Sequence, residues 1–466
     1  MVFASGVFLY YFLPLFLAVY ALTPRRWKSV VIAVASYVFY GWWRPDFVFL
    51  MWISTVVDFV CGKQIVAARD GVHEHSKKGK RWLLVSLVVN LGLLGYFKYF
   101  NFGIDTLNVI LEPFGGPSFH FAQVILPVGI SFYTFQTLSY TIDVYRGTAE
   151  PVRSFRDFMC YVALFPQLVA GPIVRYNTIA EQLHTRTHTR SKFYRGILAF
   201  QSGLAKKILI ADVLGGVADA AFEGGNLDAL HAWIGALAYT FQIYFDFSGY
   251  SDMAIGLGLM MGFRFPINFN QPYRSISITD FWRRWHISLS SFLRDYLYIP
   301  LGGNKKGPVR TYINLCLTML IGGLWHGANW TFLAWGAYQG FWLVFERLLG
   351  KRSLYSKAPY FVQVALTFVL VIFGWVFFRC ESIGEATSYL SAMFGLAGDT
   401  AHGLALRPIH LLAGLAGAVA IWGLPTTQEL IYKAKPTWVL PLQIAFWISI
   451  LHLHYVSHVP FLYFQF

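Results

Sequence analysis

The chain has 466 residues, of which 56% are hydrophobic, 18% aromatic and only 13% charged, with a formal net charge of +14. Ordinary soluble domains carry roughly a quarter charged residues, so the composition argues against a soluble core and predicts an all-α polytopic integral membrane protein. At about 20 apolar residues per crossing, the apolar runs suffice for roughly 10 to 12 transmembrane helices in one membrane-embedded domain over residues 1–466.

The opening run is apolar as far as Leu22 and is followed, not preceded, by Arg25, Arg26 and Lys28. A cleaved signal peptide has the reverse charge order, so a first helix with its amino end outside is predicted. The runs Val30–Trp43 and Phe47–Cys61, split by Arg44, Pro45 and Asp46, read as a hairpin out and back. Lys63–Arg81 carries Lys77, Lys78, Lys80 and Arg81, whereas Asn101–Gln123 has Asp105 and Glu112 and no Lys or Arg. The positive-inside rule puts the first of these loops in the cytoplasm and the second outside. By the same rule the basic stretches around Arg146, from Arg175 to Lys207 and from Arg264 to Arg310 face the cytoplasm, and the acidic stretch Glu381–Asp399 faces out. Charge spread over loops in this way argues against nucleic acid as a partner. Cys61, Cys160, Cys316 and Cys380 are too scattered for a disulfide framework or a zinc site. Gly and Pro interrupt predicted spans at Pro127-Val128-Gly129, Phe165-Pro166, Gly171-Pro172 and Gly322-Gly323. Broken helices at membrane depth are tolerated where they are buried in protein or line a cavity.

Tyr312–Gly336 puts His326 at the end of an apolar run, among glycines and tryptophans that include Trp325. Basic loops on both sides predict a helical hairpin with His326 toward its turn. An ionisable residue there is a functional candidate by default, favoured over a packed histidine bonding a carbonyl. A neutral imidazole can take a hydroxyl proton and pass it to a leaving thiolate, or act as a transient nucleophile. In Pro266–Gly303, Thr279 or Asp280 is predicted to cap an interfacial helix whose face carries Trp282, Trp285, His286, Leu289 and Leu293. His286 is either an interfacial ring or a second polar group near the reacting atoms. Arg283, Arg284 and Arg294, with Lys305 and Lys306 in a glycine loop, suit the phosphates of a coenzyme, and membrane anchoring explains the same charges. Asp246, Ser248 and Asp252 fall within one span, where carboxylates need partners. They are expected to brace a tunnel, by capping a broken helix, in preference to catalysis; Asn270 is grouped with them. His452, His454 and His458 lack nearby Cys or carboxylate neighbours and predict no metal site. His73, His75, His184 and His188 read as solvated loop residues.

Tyr244-Phe245-Asp246-Phe247-Ser248-Gly249-Tyr250-Ser251-Asp252, Asp280-Phe281-Trp282-Arg283-Arg284-Trp285-His286-Ile287-Ser288 and Gly323-Leu324-Trp325-His326-Gly327 occur in this order. With these motifs the sequence closely resembles the membrane-bound O-acyltransferase family, from Met1 to at least Arg379. The resemblance implies tilted and broken helices around a central tunnel, with the family's invariant histidine on His326. It puts a second polar position, histidine in the D-alanylation relatives, on His286. It is nearer the branch that acetylates polysaccharides. That implies cytosolic acetyl-CoA as donor substrate, with no permanently bound cofactor, and a location in the bacterial inner membrane among membrane lipids. It further implies a periplasmic SGNH-type acetyltransferase partner within a polysaccharide biosynthesis and export complex, the polymer being alginate or cellulose. D-alanyl-type transfer from a carrier protein is the alternative within the family. A transporter exporting an acylated precursor is the rival from another class; it predicts internal inverted repeats, which the sequence does not display.

Overall fold

Short polar side chains set many of the helix starts. Ser76, Ser154, Ser277, Asn329 and Ser382 each accept a backbone N–H from the first turn of the helix that follows. Each satisfies a donor that hydrocarbon cannot. The computed structural model describes residues 1–42, 44–68, 76–225, 227–350, 352–396, 403–455 and 462, and His73, His75 and His458 lie outside them. Among the described residues the architecture is all-α, as the composition predicted, and the Cα packing divides it into two units.

The first unit comprises Met1–Gly196 with Leu257–Pro266. Its helices are α1 Leu13–Leu22, α2 Lys28–Gly41, α3 Asp46–Ala67, α4 Lys77–Leu111, α5 Ile130–Arg146, α6 Phe155–Ala163, α7 Phe165–Leu168, α8 Tyr176–Thr185 and most of α9 Arg190–Lys206. A buried polar knot ties α3, α4 and α5 together. Asp58 accepts from Ser86 Oγ at 2.6 Å and Asn90 Nδ2 at 2.9 Å, Ser54 donates to Asn90 Oδ1 at 2.8 Å, and Ser86 meets Thr141 at 2.9 Å. Apolar packing alone gives little preference for one helix partner within lipid, so hydrogen bonds of this kind set the pairing. His184 and His188 are exposed, as expected, and each still has a partner: Asp157 Oδ2 at 3.5 Å and the Tyr20 hydroxyl at 2.9 Å.

The second unit comprises Ile197–Gly256 with Ile267–Phe466. It contains α10 Asp212–Glu223, most of α11 Ala229–Met260, α12 Ile278–Arg284, α13 Ile287–Leu293, α14 Gly307–His326, α15 Trp330–Leu348, α16 Tyr360–Arg379, α17 Ile383–Met393, α18 Pro408–Ala418, α19 Thr427–Lys433 and α20 Pro436–Tyr455.

Among the described residues four helices are long and apolar enough to cross a membrane unaided: α3, α4 with its extension to Phe114, α16 and α20. A fifth span is available if Pro408–Gly423 and Thr427–Lys433, bent by 72°, count as one. Other apolar runs fold as shorter or less apolar helices, such as α2 and α5. Two expectations need correction. Gly322 and Gly323 do not break their helix, because α14 continues through them to His326. They serve close packing instead: a Cβ on Gly323 would stand 2.3 Å from the Phe332 carbonyl oxygen, and one on Gly336 would stand 2.5 Å from that of Met319. The helix around His286 is not continuous either, since it is broken into α12 and α13, and its cap is Ser277, not Thr279 or Asp280. The Ile278 and Thr279 N–H groups donate instead to the buried Glu346 carboxylate, at 2.7 and 2.8 Å.

Gly336→Val is expected to force α14 and α15 apart and destabilise the protein by about 1–3 kcal/mol, read as a lower midpoint in thermal unfolding of the detergent-purified protein. An unchanged midpoint would show that the backbones are not in tight contact.

Candidate active site

α14 ends at His326 because the next residue, Gly327, is extended (φ −156°, ψ 148°), and Asn329 starts α15 by accepting the Thr331 N–H at 3.0 Å. The sequence-predicted hairpin, with His326 near its turn, is therefore present. The His326 ring is buried and stands nearly edge-on to Trp335 and Phe378, with centroids at 5.3 and 5.2 Å, while Trp325 lies at 5.0 Å. Trp285 and Trp375, 4.8 Å apart, extend this aromatic wall. Such ring pairs contribute about 0.5–1.5 kcal/mol each beyond their burial, so the wall is stiff. A small cavity of about 10 Å³ lies against His326, lined also by Asp246, Phe247, Trp335 and Trp375.

His286 occupies the break between α12 and α13 in the left-handed conformation (φ 42°, ψ 54°), strain worth roughly 1–3 kcal/mol for a residue with a side chain. The extended segment facing the break holds it there. Asn270 N–H donates to the Arg284 carbonyl at 2.9 Å, and Ile287 N–H donates to the Asn268 carbonyl at 3.0 Å. The His286 ring is fully buried, with Phe247 at 4.7 Å and the His326 ring at 6.4 Å. Its Nδ1 lies 3.1 Å from Asn268 Oδ1, which also accepts from the Ser288 N–H at 3.2 Å and from Ser288 Oγ at 2.8 Å. Its Nε2 has no hydrogen-bond partner among the described residues. Of the two readings left open by the sequence, an interfacial ring does not fit a side chain buried this deeply.

Asp246 and Asp252 are both ion-paired. Asp246 meets Lys207 Nζ at 2.7 Å and accepts the Leu462 N–H at 3.2 Å, and Lys207 also pairs with Asp212. Asp252 accepts from Lys206 at 2.7 Å and from Thr427 at 2.8 Å. α11 runs unbroken past both, so the expected helix capping is replaced by ion pairing. Ile243, Asp246 and Phe247 face the small cavity, whereas Tyr244, Phe245, Ser248, Ser251 and Asp252 line a second one of about 440 Å³. Asn268 also borders this larger cavity.

The other predicted residues are more dispersed. Arg283 is exposed, Arg284 pairs with Asp280 at 3.0 Å, and the exposed Arg294 pairs with Asp295 at 2.7 Å. Lys305 and Lys306 are exposed. The N–H groups of Gly302, Gly303 and Lys305 bond within their own turn, to Ile299, Tyr298 and Gly302 carbonyls. Those three N–H groups are therefore not free for a phosphate. Asn270 is exposed and takes part through its backbone, while Asn268 carries the buried side chain that the sequence reading missed. Two asparagines two residues apart were a visible signal, but nothing in the sequence said which one faces inward.

Residues 152–384 match the model of the membrane-bound O-acyltransferase family. The chain is 49% identical to the probable alginate O-acetylase AlgI of Pseudomonas putida, over the whole of both chains. It is 36% identical to the peptidoglycan O-acetyltransferase of Helicobacter pylori, over 85% of this chain and 80% of that one. It is 29% identical to the teichoic acid D-alanyltransferase of Streptococcus thermophilus, over 49% of this chain and 59% of the other.

Removing the cation from between the buried Asp246 and the partly buried Asp212 leaves both uncompensated. Lys207→Met is therefore expected to destabilise the protein by about 3–5 kcal/mol, and adding Asp246→Asn should recover part of the loss. Thermal unfolding of the single and double variants checks this, and an additive double variant would sink the coupling.

Proposed function

The chain belongs to the membrane-bound O-acyltransferase family and is a membrane-bound acyltransferase, and we propose that it moves acetyl groups from cytoplasmic acetyl-CoA toward an exported polysaccharide. In this reading it sits in the bacterial inner membrane with its amino end on the periplasmic side, and hands acetyl to a periplasmic SGNH-type partner within a polysaccharide biosynthesis and export complex. The full-length similarity to a protein named for alginate O-acetylation, and the similarity to one named for peptidoglycan O-acetylation, support a polysaccharide over the D-alanyl alternative.

The observation that carries the chemistry is a pair of buried imidazoles 6.4 Å apart, one of them against a small aromatic-walled cavity. Acyl transfer from a thioester forms a bond between the acceptor oxygen and the acetyl carbon and breaks the carbon–sulfur bond. The hydroxyl proton ends on the departing sulfur. His326 accepts that proton and delivers it, as a general base that becomes a general acid, and His286 supports it from the adjoining helix break. The larger cavity, at about 440 Å³, is of a size for a small-molecule arm. Its lining charges, Lys206 and Asp252, neutralise each other, so it suits the uncharged pantetheine portion of the donor. Phosphates fall outside it, to the exposed Arg283, Lys305 and Lys306, with Arg284 and Arg294 already shared with Asp280 and Asp295.

His326→Ala, at an unchanged membrane level, is expected to lower the acetyl-ester content of the exported polysaccharide by roughly 10²–10⁴-fold. Acetylation at the wild-type level in that variant would remove His326 from the reaction.

A further inference from the structure

We propose that Asn268 is a positioning residue for the reaction, holding His286 in the one neutral form whose Nε2 is a proton acceptor. The inference rests on the role given above to His286. A neutral imidazole carries its proton on one nitrogen, and the partner of the other nitrogen does not decide which unless its own chemistry is fixed. Here it is fixed. Asn268 Oδ1 receives the Ser288 backbone N–H at 3.2 Å and the Ser288 hydroxyl at 2.8 Å, while Asn268 Nδ2 donates to Ser251 Oγ at 3.2 Å. A backbone N–H can only donate, so the end of the Asn268 amide facing it is the oxygen. The same oxygen lies 3.1 Å from His286 Nδ1, which must therefore be the donor. The proton is thus held on Nδ1, and Nε2, buried and without a hydrogen-bond partner among the described residues, keeps its lone pair.

The backbone fixes the same geometry independently. The Asn268 carbonyl accepts the Ile287 N–H at 3.0 Å, so the asparagine holds both the left-handed turn that presents the imidazole and the proton on its far side. Asn268 is itself buried and borders the larger cavity, so it stands between that cavity and His286. Asn268 touches no reacting atom in this account; it acts through His286.

The test compares Asn268→Ala, Asn268→Asp, His286→Gln and the double variant Asn268→Ala/His286→Gln. The readout is thiol release from acetyl-CoA by inside-out membrane vesicles of polysaccharide-producing cells, at matched protein level. Asn268→Ala is expected to lower kcat about 10–100-fold, as for other residues that orient a working histidine. The double variant should be no slower than His286→Gln alone, because the asparagine has no route except the histidine. Asn268→Asp keeps an acceptor of the same shape and should restore most of the rate. Wild-type turnover by Asn268→Ala, or Asn268→Asp no faster than His286→Gln at normal level, would overturn the proposal. Full activity of His286→Gln would instead overturn the role of His286 on which it rests.

Discussion

A chain that leaves helical geometry in a buried core has to bond its own freed N–H and C=O groups, because apolar surroundings offer them nothing. At His286 the chain does leave it, and the Ile287 N–H and Arg284 carbonyl that the break frees are taken up by the backbone at Asn268 and Asn270. Once that pairing is made, the left-handed turn is affordable, the imidazole is turned inward, and the aromatic rings around it can close. The hairpin of α14 and α15 depends less on hydrogen bonds than on the absence of side chains at Gly323 and Gly336, which lets the two backbones meet and brings His326 against Trp335.

Charge is handled differently from backbone. The carboxylates of α11 reside among apolar residues only because the consecutive lysines Lys206 and Lys207 accompany them, pairing with Asp252 and Asp246. Pairs of this kind seldom add much net stability, but each is strongly destabilising to break by halves. α11 thereby acts as a wall with two faces, Asp246 and Phe247 toward the histidine cavity and Ser248 and Ser251 toward the larger one.

Much of this was legible in the residues. Composition and the charge of the loops gave an all-helical membrane protein, and a histidine between glycines and tryptophans at the end of an apolar run marked both the hairpin and its turn. What the sequence hid follows from the same physics. Helical periodicity reads Ile278 to Leu293 as one helix, since nothing in Trp285-His286-Ile287 signals a left-handed residue; that conformation comes from the upstream segment that carries Asn268 and Asn270, beyond the helix itself. The choice between Asn268 and Asn270 depends on which way an extended strand turns its alternate side chains. The partners of Asp246 and Asp252 are lysines some 40 residues earlier, and no local pattern announces them.

The space beside His326 is about 10 Å³, close to the least that admits one water molecule. In the proposed reaction a carbonyl takes up this volume only by expelling water, whose polar neighbours there are the Asp246 carboxylate and the His326 ring. A thioester is readily lost to hydrolysis wherever a base and water meet it together. On the role proposed for His326, the smallness of the space favours transfer over hydrolysis, and fidelity toward the intended acceptor becomes a matter of volume as much as of chemistry.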